Sequence, residues 1–126
     1  MKKPSVKEPS QRMLKVGEEV RHALADIFMR DELHAPELDG VSVTVSEVRM
    51  TPDLKRGTAY IALLEKNELL DPVINSLNKL YGGAIKRALQ PKLHLKFLPT
   101  IRFKADTSFD EADKIHRLLN EVTSNS

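Results

Sequence analysis

Between Gln11 and Val122 the spacing of apolar residues changes period repeatedly, and that succession restricts the fold more than any single motif. From Gln11 to about Arg30, Met13, Val16, Val20, Leu24, Ile27 and Phe28 recur every three or four positions, the buried stripe of a helix. Arg12, Lys15, Glu18, Glu19 and Arg21 lie mostly off that stripe. The segment HAPELDG, with Pro36 and Gly40, breaks the pattern. In VSVTVSEVRM the period becomes two: Val41, Val43 and Val45 alternate with Ser42, Thr44 and Ser46, as on a half-buried strand. The phase slips at Glu47, because Val48 and Met50 are apolar, which predicts a bulge or the end of one-sided burial. TPDLKRG then reads as a turn and TAYIALL as a second strand, and so short a connection predicts an antiparallel hairpin.

At LLDPVINSL the helical period returns, with Asp71 expected as the cap and Pro72 at the first helical position, where no N–H is required. Val73, Ile74, Leu77, Leu80, Tyr81, Ala84, Ile85, Ala88 and Leu89 keep one face apolar through Gly82 and Gly83 until Pro91. Two adjacent glycines in a helix each cost roughly 1 kcal/mol relative to alanine. They predict a kink rather than an end, giving helix, kink and helix on one sheet. LKFLPTIRF reads as a third strand with an irregularity at Pro99. DTSFDEADKIHRLLNEV reads as a final helix, with Ser108 and Glu111 at capping-box spacing and Ala112, Ile115, Leu118, Leu119 and Val122 as its stripe. This order predicts an α+β domain whose helices cover one face of a three-stranded sheet.

With 126 residues, 40% of them hydrophobic and 30% charged, the chain suits one domain of modest core. We expect it to span 11–122, between flexible tails at 1–10 and 123–126. The absence of cysteine excludes disulfides, thiolate metal sites and cysteine nucleophiles. No apolar run is long enough to cross a membrane, and the basic start is not followed by a signal-peptide core, so a cytoplasmic location is expected.

Charge is segregated along the chain. Between Asp71 and Asp106 there is no Asp or Glu, while Lys79, Lys86, Arg87, Lys92, Lys96, Arg102 and Lys104 fall inside; the window holds +7 and leaves −5 for the rest of a chain of net charge +2. Such a face suits a polyanion, or is simply solvated. The candidate residues for binding a polyanion are Lys79, Gly82, Gly83, Lys86, Arg87, Lys92 and Lys96, on or just after the kinked helix, with Arg102 and Lys104 as an extension. Lys55 and Arg56 in the hairpin turn form a second candidate contact. The glycines have two readings: they remove side chains where two helical segments meet, or they let backbone N–H groups approach a phosphate flanked by Lys86 and Arg87.

Catalysis has no support in the sequence. His22, His34, His94 and His116 lack metal-ligand spacing, and the acidic group Asp110, Glu111 and Asp113 fits the first turn of a helix. No nucleophile elbow or phosphate-binding Gly-x-x-x-x-Gly-Lys loop occurs. We therefore expect no enzyme activity, metal or cofactor. Phe28, Phe97, Phe103 and Phe109 fall at expected core positions, leaving Tyr60 and Tyr81 as the ambiguous aromatics; if the polyanion is a nucleic acid, recognition of its shape and phosphate is expected over base stacking.

The pieces RMLKVGEEVRHALADIF, VSVTVSEVRMTPDLKRGTAYIAL, LNKLYGGAIKRAL, LKFLPTIRF and DTSFDEADKIHRLL, in this order and spacing, resemble the ribosome-binding factor A family. The resemblance runs from Gln11 to Val122. It implies a single type II K-homology-like domain in which the usual Gly-x-x-Gly loop is missing, as it is here, and an Ala-x-Gly kink joins two helices. Gly83 matches the kink glycine, Gly82 the variable position, and Tyr81 stands in place of the alanine. It also implies a non-catalytic assembly factor that binds the free small ribosomal subunit and its ribosomal RNA during late maturation and RNA processing. Monomer is the default state. The alternative reading is a protein-interaction module whose basic face meets an acidic protein.

Overall fold

The computed structural model describes residues 9–108, so the expected tails and final helix lie largely or wholly outside the described residues. Helix α1 (Gln11–Met29) begins at Ser10, whose hydroxyl oxygen accepts the Met13 N–H at 3.1 Å. Its inward stripe is Val16, Gly17, Val20, Ala23, Leu24 and Ile27. Gly17 is dictated by close packing, since a Cβ there would lie 2.6 Å from the Val48 carbonyl oxygen of the first strand.

Strands β1 (Val43–Met50) and β2 (Arg56–Leu63) form the antiparallel hairpin. The register slips between Val45 and Glu47, so the phase change in the sequence is a bulge at Ser46. The bulge returns Val48 and Met50 to the face already buried by Val45. The turn is held by Asp53, whose Oδ1 accepts from the Thr51 hydroxyl at 2.6 Å and the Lys55 N–H at 3.0 Å.

Helix α2 (Leu70–Leu80) starts one residue before the expected cap. A 3-10 turn at Asn67–Leu69 runs directly into it and supplies the Asn67 carbonyl to the Leu70 N–H; Asp71 makes no capping bond and Pro72 falls at the third helical position. Asp71 still complements the positive end of the helix dipole. Tyr81 interrupts the helix, and α3 (Gly82–Leu89) follows. The third strand is shorter than expected: β3 is Thr100–Ala105, and the segment before it is irregular.

The sheet order is β1-β2-β3, with β3 parallel to β2. All three helices lie on one face and share one core with Val45, Val48 and Met50 of β1, Ala59, Ile61 and Leu63 of β2, and Ile101 and Phe103 of β3. Phe28 meets Phe103 edge to face, ring centroids 6.0 Å apart, joining α1 to β3 across the core. Asn78 fastens α2 to the outer edge of β3: its carboxamide donates to the Phe103 carbonyl at 3.0 Å and accepts the Phe103 N–H at 2.8 Å. These are the polar groups that an edge strand leaves unpaired. Among the described residues no helix is long and apolar enough to cross a membrane.

Candidate nucleic-acid interface

The break between α2 and α3 is a bend centred on Tyr81, which keeps two helical hydrogen bonds. Tyr81 (φ −114°, ψ 10°) donates its N–H to the Leu77 carbonyl at 3.3 Å and accepts from the Ile85 N–H at 2.8 Å. Its half-buried ring packs against the core, and its phenol donates to Glu37 Oε1 at 2.7 Å, across to the 3-10 turn Pro36–Leu38 between α1 and β1. That hydrogen bond raises the pKa of Tyr81 and lowers that of Glu37. The tyrosine is therefore an anchor for the kink. Because Tyr81 takes the inward position, Leu80 is turned out, 67% exposed, although the apolar pattern predicts it inside.

Gly82 and Gly83 are both exposed. The positive-φ glycine of the described chain is Gly40, so neither needs the left-handed region. A Cβ on Gly82 would meet nothing within 4 Å, and one on Gly83 would make ordinary contact with Arg87 Nη1 at 3.5 Å. The expectation that these glycines clear space between the two helical segments is thus corrected: the space they open faces solvent. Lys86 and Arg87 lie four residues after Gly82 and Gly83 respectively, on the same faces of α3, and helical side chains lean toward the N-terminus, the side of the glycine turn. Arg87 visibly does so. Lys79, exposed in the last turn of α2, adds a third cation. The first-turn N–H groups of α3 point out of the same end.

The remaining candidates separate. Lys92 is half-buried and engaged by two carboxylates: its ammonium donates to Asp26 Oδ2 at 2.8 Å and Glu32 Oε2 at 2.9 Å, clasping the turn after α3 onto the end of α1. Those bonds raise its pKa, and the bond from Lys92, then that from Arg30, holds Asp26 below its ordinary value. Lys96 lies on the irregular segment before β3, its Nζ 5.6 Å from the centroid of the Phe97 ring. Phe97 is 62% exposed, which corrects its expected place in the core. Arg102 and Lys104 alternate with buried Ile101 and Phe103 and so project from the sheet face opposite the helices, beside Thr58 and Tyr60. They do not extend the α2–α3 surface. On that open face Arg49 sits 5.3 Å from the centroid of Tyr60. Lys55 and Arg56 are exposed at the hairpin end.

A three-stranded mixed sheet carrying a helix–kink–helix on one face has the architecture of a K-homology-like domain. The family model "Ribosome-binding factor A" matches residues 12–119, and the chain belongs to that family. A curated relative of that name from Rhodospirillum rubrum is 42% identical over 120 residues, 95% of this chain and 72% of its own. The crystal structure of ribosome-binding factor A from Thermus thermophilus is similar in fold, with a TM-score of 0.58 at 20% identity over 74% of this chain and 94% of that one. Also similar is a homology model of the Thermus thermophilus protein fitted into a cryo-EM map of a 30S complex, with TM-score 0.58, 20% identity and coverage of 75% and 96%.

Proposed function

We propose that this protein is a non-catalytic, cytoplasmic, monomeric assembly factor that binds the free small ribosomal subunit through its ribosomal RNA during late maturation and RNA processing. Lys79, Gly82, Gly83, Lys86 and Arg87 form the contact surface. Lys92 acts as an internal clasp, and Lys96 belongs to a separate part of the face. The observation that carries this reading is the pair of solvent-facing glycines one helical turn before Lys86 and Arg87, with the Arg87 guanidinium close to Gly83. The fold requires no glycine at either position by φ or by space, yet glycine there lets a phosphate reach the helix N–H groups while two cations flank it. Relatives named for ribosome binding, and one fitted in a 30S complex, support the choice of partner.

Co-sedimentation with purified small subunits, large subunits and complete ribosomes, at low and near-physiological salt, tests it. Selective retention on free small subunits at physiological salt is expected. Equal binding to all three, lost as salt rises, would leave a generic basic surface and put an acidic protein partner in its place.

A further inference from the structure

Of the 93–99 segment, Leu93 and Pro99 are buried and Leu95 and Leu98 are partly buried against the core. Phe97, between these anchors, is 62% exposed and is the one exposed aromatic among the described residues. Burying such a ring is worth about 1.5–3 kcal/mol, so its exposure forgoes a gain that the other apolar residues of the segment take in whole or in part. The Lys96 ammonium stands 5.6 Å from the ring centroid. The end of the segment is pinned to the hairpin, where the Thr100 N–H donates to the Lys55 carbonyl at 2.9 Å, next to exposed Lys55 and Arg56. The nearby acid, Asp53, already accepts from Thr51 and the Lys55 N–H. No other carboxylate lies between residues 72 and 105.

We propose that Phe97 and Lys96 form a stacking platform for one unpaired RNA base, with Lys96 placed for the phosphate beside it. A ring held out on packed anchors loses little entropy on stacking, every base offers a π-face, and an adjacent cation neutralises the backbone. The inference rests on the RNA-binding reading and adds a second element to it: the α2–α3 turn holds phosphate, and the 93–99 segment holds a base that is not paired.

The chain has no tryptophan, so Phe97→Trp introduces a single indole at the platform itself, which can be excited to the red of Tyr60 and Tyr81. The probes are a single-stranded RNA of about 12 nucleotides and a duplex of the same length. The single strand should quench the Phe97→Trp emission, and the duplex should not. Phe97→Ala should bind the single strand about 5- to 150-fold more weakly than wild type, with duplex affinity and thermal unfolding unchanged. Unquenched emission on saturation with the single strand, or undiminished binding by folded Phe97→Ala, overturns the platform. That failure is separate from failure of the assembly-factor reading, which would appear as absence of wild-type protein from sedimented small subunits.

Discussion

Replacing both kink glycines, Gly82→Ala with Gly83→Ala, should move stability and binding in opposite directions. Neither site has a positive φ, and the two Cβ atoms would meet open space and an ordinary 3.5 Å contact with the flexible end of Arg87. With no strain to offset it, the loss of backbone freedom in the unfolded chain should stabilise the fold by about 0.4–1 kcal/mol per site, about 1–2 kcal/mol for the pair. For a domain of this size, that is a rise in Tm of about 4–10 °C. A methyl group over each first-turn peptide would hold a phosphate away from the N–H groups, and losing one such contact should weaken small-subunit binding about tenfold. Thermal unfolding by circular dichroism and co-sedimentation on the same preparation read both effects. A fall in Tm would show that the kink itself requires glycine, and undiminished binding in the stabilised variant would remove the reason given for the exposed pair.

Lys92→Ala should leave subunit binding unchanged and lower Tm at neutral pH, because it unfastens α3 from α1. Asp26 sits below its ordinary 3.8, so its share of the clasp is present above that pH and lost as pH falls through the lowered value; the Tm difference from wild type should shrink in acid. Lys92 sits above its ordinary 10.5, so its share is present below that pH and lost in stronger base. Asn78→Ala strands the Phe103 N–H and carbonyl on a part-buried edge and should cost about 2–4 kcal/mol in urea unfolding; a loss well under 1 kcal/mol would mean that water replaces the carboxamide. Gly17→Ala drives a Cβ to 2.6 Å from a backbone oxygen, which cannot rotate away, and should destabilise by about 1–3 kcal/mol or more; an unchanged Tm would refute the packing assigned to α1 and β1.

The elements were legible wherever one local period fixed them. The slip at Glu47 gave the bulge because one extra residue must restore Val48 and Met50 to the core face. The helix-kink-helix was legible from an apolar stripe that continues across two glycines. What local pattern does not show depends on partners distant in sequence. Lys92 looked like its basic neighbours, and only folding brings it to Asp26 and Glu32. The cap expected at Asp71 was displaced by a 3-10 turn that needs no distinctive residue. Phe97 reads as inward with its apolar neighbours, since nothing local marks which member of LKFLP an irregular segment leaves outside. Arg102 and Lys104 could be excluded from the helical face once the phase of β3 was fixed by Ile101 and Phe103.

The most direct test of the α2–α3 surface is the salt dependence of small-subunit binding for wild type and for Lys86→Glu with Arg87→Glu. Both side chains are exposed, so the variant should unfold at nearly the wild-type temperature. If each cation neutralises one phosphate, the slope of log K against log salt should shrink by about 2, and binding at physiological salt should disappear. An unchanged slope in a folded double variant would contradict that surface and place the contact elsewhere on the domain.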